Sequence, residues 1–246
     1  MRGNGPAKAD APRVDRFEPA RAKGNRLYDR LRADILAARL RPGETLSETR
    51  LAEQHGISRT PVREVVQRLA QDGLIRVVPQ VGTFVAPINL SAVIDSQFIR
   101  EALECHAVRH AADRITALQV RALQRQLTEQ ARRVAASDHA GFFTLDERMH
   151  QTIATIAGHA AVWDLIASVK AQLDRVRHLS LEDDDWLTMI FHQHGDIVAR
   201  LGAHDAAGAE HAMQRHLRTA FAAIDRIATR HADFFETAPH PRREVA

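Results

Sequence analysis

The stretch Ile57-Ser58-Arg59-Thr60-Pro61-Val62-Arg63-Glu64 decides how the N-terminal third of the chain folds. Ser58 is a good N-cap residue, and Pro61 falls in the first helical turn, where its missing N–H costs little. The helix that begins here carries an apolar stripe at helical spacing and stops at Asp72-Gly73. That stripe consists of Val62, Val65, Val66, Leu69 and Ala70.

The flanking sequence predicts two helices before this one and a hairpin after it. A first helix is expected over residues 25–38, where apolar residues recur at helical spacing before the break at Arg41-Pro42-Gly43. Ser47 is expected to cap a short second helix that ends at Gly56. Two β-rich runs, residues 74–78 and 83–85, predict a hairpin. Residues 25–88 therefore have the layout of a winged helix-turn-helix.

Beyond residue 88 the sequence predicts only helices. Amphipathic segments are expected to form helices over residues 90–115, 117–136, 138–157, 160–179, 183–202 and 205–231. The predicted fold class is mainly α, with an N-terminal winged helix-turn-helix and a C-terminal all-α bundle of about six helices over residues 89–236. Residues 1–24, a basic arm, and the tail 237–246 are expected to be disordered.

The composition indicates the cellular compartment and the class of protein. The 246 residues suit two ordinary domains, and no apolar run reaches the length of roughly 18 residues that a membrane helix needs. The N-terminus has no apolar signal segment, and the single Cys105 cannot form an internal disulfide or a multi-cysteine zinc site. A cytoplasmic protein without membrane partners is expected.

The charge distribution favours a polyanion as partner of the N-terminal domain. Residues 1–88 carry a net charge of +6, whereas the remainder carries −3. Arg59 and Arg63, four residues apart at a helix N-terminus, are suited to reading guanine edges in a major groove. The other predicted contacts to double-stranded operator DNA are Arg50, Ser58, Thr60 and, at the wing tip, Gly82. The alternative interpretation is an ordinary three-helix lobe with solvated arginines.

Four polar residues of the predicted bundle point to a metal centre. Asp146 and His150 are four apart and share one helix face, while His194 and His216 fall on the apolar stripes of two later helices. Imidazoles and a carboxylate together suit Zn²⁺, Ni²⁺ or Mn²⁺. Burying four such groups without a partner costs several kcal/mol. The alternative is that these histidines are satisfied core residues.

Several motifs resemble those of one family of regulators. They are Pro42-Gly43, Leu51-Ala52-Glu53, residues 58–64, Asp72-Gly73-Leu74-Ile75 and Gly82-Thr83-Phe84-Val85. This set closely resembles the GntR family of transcriptional regulators. The later segments 100–104 and 146–150, with the histidine-bearing helices, resemble the FadR-type effector domain, also called the FCD domain.

The resemblance implies a homodimeric repressor or activator tuned by a small carboxylate metabolite. It also implies that one Asp and three His, at the positions of Asp146, His150, His194 and His216, hold a divalent metal. Arg100, one turn before Glu104, is then expected to bind the effector carboxylate, a surface or interhelix salt bridge being the alternative. Two residues depart from the family pattern: Met149 replaces a frequent Phe, and His159 replaces a frequent Asn.

Two other classes of function compete with the metabolite-responsive repressor. In a metal-sensing regulator the ion itself is the signal, and in a metal-dependent hydrolytic enzyme the centre would activate water. The enzyme is disfavoured because the sequence offers no separate general base, HExxH motif, phosphate-binding glycine loop or nucleophile elbow. We therefore predict that the chain is not an enzyme.

Overall fold

The N-terminal domain of the computed structural model is a three-helix unit with a two-stranded wing. The structure describes residues 20–180, 183–222 and 224–236. The domain comprises α1 (Ala20–Leu36), α2 (Glu48–His55), α3 (Arg59–Gln71), β1 (Ile75–Val78) and β2 (Gly82–Val85). Helix α1 begins five residues before the predicted start, because the run Ala20-Arg21-Ala22-Lys23 consists of strong helix formers. The rest of the predicted arm, and the predicted tail 237–246, lie outside the described residues.

Local signals set the ends of α2 and α3 as predicted. The hydroxyl of Ser47 accepts a hydrogen bond from the backbone N–H of Arg50, and Gly56 ends α2 in the left-handed conformation with φ of 57°. Ser58 occupies the N-cap position of α3, although its hydroxyl makes no capping hydrogen bond. The buried face of α3 packs on α1 in a core that includes Leu27, Leu31, Ile35, Val62, Val66 and Leu69.

The wing is an antiparallel pair in the register Ile75–Val85 to Val78–Gly82. Its inner residues Ile75 and Val85 are buried against the helices, whereas Val77 and Val81 are exposed. Gly82 begins β2, so it does not occupy the wing tip as predicted. The tip is formed by Pro79, Gln80 and Val81, and Gln80 takes the positive φ, 62°, that the turn needs.

The C-terminal domain is all α within the described residues. Its elements are α4 (Leu90–Arg114), α5 (Ala117–Ala135), α6 (His139–Ile156), α7 (Ala160–Val169), α8 (Ala171–Ser180), α9 (Asp184–Gly202), α10 (Ala206–Ala222), α11 (Ile224–Arg230) and a 3₁₀ turn (Ala232–Phe234). An apolar core between α4, α5, α6, α9 and α10 holds Val108, Leu123, Met149, Ile153 and Leu201, among others. In the ranges described, no helix is long and apolar enough to cross a membrane.

The predicted helix over residues 160–179 is wrong in one respect, because it is two helices that meet at Lys170. This lysine is buried, and its ammonium ion pairs with Glu147 and Asp174. The break directs α8 towards the N-terminal domain, whose core includes Ala171. The predicted helix 205–231 corresponds to α10 and α11, which lie on the two sides of residue 223, a residue outside the described ranges.

Candidate metal centre and DNA-binding surface

The side chains of α2 and α3 that are predicted to contact DNA are exposed on the surface of the N-terminal domain. Arg50 is exposed on α2, while Arg59, Thr60 and Arg63 are exposed in the first turns of α3. Within the described ranges the guanidinium of Arg63 forms one ion pair, from Nε to Oε2 of Glu48 at 3.3 Å, and its side chain is 64% exposed. The Ser58 hydroxyl is exposed and makes no capping bond. These groups are therefore accessible to a ligand.

The structure brings together the four residues that the sequence singles out as metal ligands. Asp146 and His150 come from α6, His194 from α9 and His216 from α10. One ligand atom from each of the four lies within 4.8 Å of the others, and all four side chains are buried. Three helices thus contribute to one compact centre in the interior of the bundle.

Each of the three imidazoles is held at Nδ1 by a different residue. Nδ1 of His150 contacts a carboxylate oxygen of Glu104, and Nδ1 of His194 lies 2.8 Å from Oε1 of Gln130. Nδ1 of His216 lies 3.2 Å from Oε1 of Gln193. Because all three partners are acceptors, each neutral ring carries its proton on Nδ1 and keeps the lone pair on Nε2.

The Nε2 atoms of the three imidazoles point towards one another, and their surroundings show whether a cation fits between them. Nε2 of His150 lies 3.2 Å from Nε2 of His216, so two lone pairs face each other. Nε2 of His194 is buried and has no hydrogen-bond partner among the described residues, although Oδ1 of Asp146 is 3.3 Å away. A divalent cation bound by nitrogen and carboxylate ligands resolves both conflicts. The donor set therefore fits a metal ion.

Protonation states at neutral pH also suit metal binding. Burial lowers the pKa of His194 and, together with the neighbouring imidazoles, holds the pKa of His216 well below its usual value. Burial alone would raise the pKa of Asp146, but the charge of Arg177 and the bonding to His194 outweigh it and keep that pKa well below its usual range. His194 and His216 are therefore neutral imidazoles at neutral pH, and Asp146 is an ionised carboxylate.

Arg100 borders the same centre, and it is also engaged in an ion pair. It is 1% exposed, and its Nε donates to Glu104, the carboxylate that holds His150. Its Nη2 is buried with no hydrogen-bond partner in the described ranges. Arg100 also lines a cavity of about 20 Å³, roughly the room for one water molecule. The other lining residues are Asp146, Arg177, Ser180, Trp186, Ile190, His216 and Leu217.

The sequence predicts no role for four residues that surround this centre, namely Glu104, Gln130, Gln193 and Arg177. Gln130 had a detectable signal, since it is a polar residue in line with Leu123 and Leu127 on the buried side of α5. Arg177 donates to Asp146 and also lies 2.6 Å from Glu147 and 3.0 Å from Asp174. Asp174 is the i,i+3 neighbour of Arg177 on α8, but no pattern within α8 indicates Asp146 and Glu147, because both lie on α6.

Helix α8 connects the centre to the N-terminal domain. Nη2 of Arg32, on α1, lies 3.8 Å from Oδ2 of Asp174. Gln172 donates to the carbonyl of Gly73 at 2.6 Å, and Arg175 donates to the carbonyl of Ala86 at 2.8 Å. The same ten-residue helix therefore contacts Asp146 through Arg177 and the DNA-binding domain through three other side chains.

A winged helix-turn-helix joined to an all-α domain with a buried polar centre defines a two-domain DNA-binding regulator. In the comparison with family models, residues 23–85 match the bacterial regulatory proteins of the gntR family, and residues 95–219 match the FCD domain. The chain belongs to the GntR family of transcriptional regulators and carries the FCD-type C-terminal domain, as the sequence motifs predicted.

Individual relatives agree with this assignment. The chain is 35% identical over 219 residues to the HTH-type transcriptional repressor RspR of Escherichia coli K12, covering 89% of this chain and 96% of the relative. It is 37% identical over 211 residues to an uncharacterized HTH-type transcriptional regulator in an unstable DNA locus of Streptomyces ambofaciens, covering 86% and 89% of the two chains. The family consists of regulators, which confirms the prediction that the chain is not an enzyme.

Solved structures support the fold. E. coli McbR/YncC superimposes with a TM-score of 0.71 at 22% identity, covering 83% of this chain and 97% of that one. A putative GntR regulator from Rhodococcus sp. RHA1 superimposes with a TM-score of 0.69 at 24% identity, covering 82% and 97%. The arrangement of winged domain and helical bundle is therefore one that other chains adopt.

Proposed function

We propose that this regulator is a repressor whose buried centre holds a divalent metal and, beside it, a small carboxylate effector. The observation that carries the proposal is the convergence of three imidazole lone pairs and one carboxylate within 4.8 Å in the protein interior. Buried imidazole lone pairs that face one another without a donor are unfavourable in the absence of a cation. The repressor assignment is supported by the name of the E. coli relative RspR.

Asp146, His150, His194 and His216 would hold the metal, and Glu104, Gln130 and Gln193 would orient the three imidazoles. The donor set of one oxygen and three nitrogens suits Zn²⁺, Ni²⁺ or Mn²⁺. When bound, the ion supplies an electrophilic position beyond its four protein ligands, at which a carboxylate oxygen can bind. The role of the protein is to keep these four donors oriented and shielded from bulk water.

Arg100 is the residue that recruits the effector. Its Nη2 is the buried donor without a partner named above, and it borders the cavity beside His216 and Asp146. A guanidinium with a free N–H is suited to a carboxylate. Trp186, Ile190 and Leu217 provide the apolar part of the cavity wall, which suits the carbon skeleton of an organic acid.

Effector entry is coupled to the DNA-binding domain through α8. The cavity holds only about one water molecule, so a larger ligand must displace lining side chains such as Arg177 and Ser180, which belong to α8. Gln172, Asp174 and Arg175 of the same helix contact the N-terminal domain. A shift of α8 therefore changes the position of the winged domain. It thereby changes the fraction of protein molecules that can bind DNA.

At the operator, Arg59 and Arg63 read base edges in the major groove, while Ser58, Thr60 and Arg50 contact the phosphate backbone. Gly82, at the start of β2, allows the wing to approach the minor groove. A homodimer would place two α3 helices about one turn of DNA apart on a near-palindromic site. In such a dimer, a change in the position of the winged domains directly changes the affinity for the operator.

A metal-sensing regulator is the second candidate, and the small cavity is the observation that favours it. The four ligands and their three supporting residues form a complete set without any organic molecule. In that case, removal and addition of the metal alone would change operator affinity. The repressor with a carboxylate effector instead keeps its metal and responds to the acid.

One experiment separates these functions. Metal-loaded protein is screened by thermal shift against sugar acids, dicarboxylates and aromatic acids, since a ligand of the folded state raises the melting temperature. Operator binding is then measured by fluorescence anisotropy with and without each stabilising acid. We expect one class of acid to raise the melting temperature and weaken operator binding. If metal alone changes operator binding and no acid does, the metal sensor is the correct function.

A further inference from the structure

Residues 231–236, which follow α11, lie at the junction between the two domains. The N–H of Ile88, in the linker between β2 and α4, donates to the carbonyl of Phe234 at 2.7 Å. The N–H of Glu236 donates to the carbonyl of Ile88 at 3.1 Å, and Ile88 and Phe235 form a parallel β-bridge. The side-chain amide of Asn89 also donates to Glu236, at 2.9 Å. The linker is therefore paired through its backbone with this segment.

The same segment also contacts the N-terminal domain. Nη2 of Arg41 donates to Oδ2 of Asp233 at 2.7 Å. The guanidinium of Arg41 lies over the ring of Phe234, 5.1 Å from the ring centroid. Arg41 shortly precedes residues 43–46, whose backbone is hydrogen-bonded to that of β2. These contacts therefore join the segment to the part of the N-terminal domain that carries the wing.

We propose that residues 231–236 act as a strap that fixes the position of the winged domain on the bundle, and that the wall of the effector cavity controls this strap. The linker over residues 86–89 is only four residues long, and two domains joined by a short linker move relative to each other unless further contacts hold them. The strap supplies such contacts, because it is bonded both to the linker and to Arg41. Control by the cavity rests on the proposed function, whereas the strap itself does not.

An apolar cluster connects the strap to the cavity. Its buried members include Ile88 of the linker, Val176 of α8, Ile227 of α11 and Phe234 of the strap. Trp186, on α9, packs against this cluster and also lines the cavity beside the metal centre. Because protein interiors are closely packed, a displacement of Trp186 disturbs the contacts that hold Phe234 in place.

Trp186 is also in contact with the helix that leads into the strap. The guanidinium of Arg226, on α11, lies over the ring of Trp186, 4.9 Å from the ring centroid. The cavity of about 20 Å³ has room for roughly one water molecule, so a larger ligand must move the side chains that line it. Movement of Trp186 would then shift α11 and loosen the strap. The position of the winged domain would thereby depend on the contents of the cavity.

The test measures the distance between the two domains in the full chain without added ligand. Spin labels are attached at Val81→Cys in the wing, where the side chain is 70% exposed, and at Leu118→Cys on α5, where it is 64% exposed. Cys105→Ala removes the native thiol. Labelled protein is mixed with an excess of unlabelled protein, so that only the pair of labels within one chain contributes. Double electron–electron resonance then gives the distance distribution.

Two shortened chains test the strap directly. One ends at Arg230 and lacks the strap, and its matched control ends at Glu236 and keeps it. We expect a narrow distribution in the wild type and in the control. The chain that ends at Arg230 should give a distribution at least about twofold wider, because the domains then move relative to each other. A distribution of wild-type width in this folded chain overturns the strap.

A point variant keeps the test decisive if the shorter chain does not fold, as judged by circular dichroism. Arg41→Ala removes both contacts of Arg41 with the strap and alters only a side chain that is 58% exposed. Its matched control is Arg39→Ala, whose side chain is 59% exposed and pairs with Asp34 within the N-terminal domain. We expect Arg41→Ala, but not the control, to widen the distribution. Equal widths in the two variants overturn the role of Arg41 in holding the wing.

Trp186→Ala tests the connection to the cavity. It should widen the distribution, whereas Leu201→Ala, at a buried position near the other end of α9, should leave it narrow. A distribution of wild-type width in Trp186→Ala overturns the control of the strap by the cavity wall. None of these measurements contains an organic acid. Failure of the proposed effector in the thermal-shift screen is therefore distinguishable from failure of the strap.

Discussion

Arg32 of the DNA-binding domain and Asp174 of the bundle face each other across the domain junction, with Nη2 and Oδ2 3.8 Å apart. Asp174 is almost fully buried, and its other cationic partners are Lys170 and Arg177. Arg177 in turn donates to Asp146 of the candidate metal centre. Three successive ion pairs thus run from α1, through α8, to the centre where we propose that metal and effector bind.

Arg32→Gln should uncouple the two domains without unfolding either. The Arg32 side chain is 28% exposed, so loss of this pair should cost at most about 1 kcal/mol of stability. Metal content and basal operator affinity should stay close to those of the wild type. The effector-induced change in operator affinity should shrink by about 0.5–2 kcal/mol, measured by anisotropy titration.

The matched control for this prediction is Arg30→Gln on the same helix. Arg30 is 69% exposed, and its ion pair is with Asp34 within α1. This variant should respond to effector like the wild type. An identical effector response in Arg32→Gln would show that the signal takes another route.

Arg59→Ala and Arg63→Ala should each weaken specific operator binding by about 1–3 kcal/mol and relax base preference. Both side chains are exposed at the start of α3, so thermal stability should not change appreciably. Arg125→Ala, at an exposed position of α5 in the other domain, is the control. Undiminished sequence-specific binding by the double variant Arg59→Ala/Arg63→Ala would refute the assignment of α3 as the recognition helix.

Replacing His194 and His216 with Ala should remove the bound metal and lower the melting temperature of the metal-loaded protein. Both residues are buried and present Nε2 towards the centre, so their loss leaves two ligands. Elemental analysis and differential scanning calorimetry check the result. His192→Ala, exposed on the same helix as His194, should retain full metal content. Full occupancy in the double variant would rule out the centre.

Gln130→Met should weaken metal binding about 10–100-fold although Gln130 is not a ligand. Its amide oxygen holds Nδ1 of His194 at 2.8 Å, and methionine keeps the volume but not the acceptor. Without this acceptor, the proton of the neutral His194 ring is no longer held on Nδ1. Competition with a chromophoric chelator measures the change, and Gln126→Met, one turn earlier on α5, is the control. Equal affinity in wild type and Gln130→Met would remove this positioning role.

His178 should make the folded protein sensitive to mild acid. Burial lowers its pKa from 6.5 to about 4, and its ring stacks on Phe143 with centroids 3.9 Å apart. Because the unfolded chain binds this proton more readily, stability is lost as the pH falls from about 6.5 to about 4. The contribution over the whole window is about 3 kcal/mol. Urea unfolding of metal-free protein at pH 7 and pH 5 measures it.

His178→Gln should show a smaller loss of stability than the wild type between these two pH values. The variant will be less stable at pH 7 because it loses the stacking on Phe143, so the comparison concerns the pH dependence and not the absolute stability. The same pH dependence in both proteins would mean that His178 is protonated equally readily in the folded and unfolded states.

The winged domain could be predicted almost completely because its signals are local. The caps at Ser47 and Gly56 and the stripe of α3 depend on hydrogen bonds and periodicity within a few residues. The predicted start of α1 at residue 25 is wrong because the preceding residues are good helix formers that carry little apolar periodicity. The prediction of Gly82 at the wing tip is wrong because the tip residue with positive φ is Gln80, and no feature of the sequence marks that residue.

The division of residues 160–180 into two helices could not be predicted, because its cause is tertiary. Lys170 is buried and forms ion pairs with Glu147 on α6 and Asp174 on α8, and Ala171 packs into the core of the other domain. The periodicity of the segment is compatible with one continuous helix. Only the positions of these partners in space favour a break at this residue.

By itself, the sequence determined the two-domain layout, the exposed arginines of α3 and the identity of Asp146, His150, His194 and His216 as inward-facing polar groups. Those features follow from periodicity along single helices. The tertiary structure decided which residues surround that centre, namely Glu104, Gln130, Gln193 and Arg177, and how α8 joins it to the winged domain. Each of these contacts joins residues from different helices, so their geometry exists only once the helices have packed.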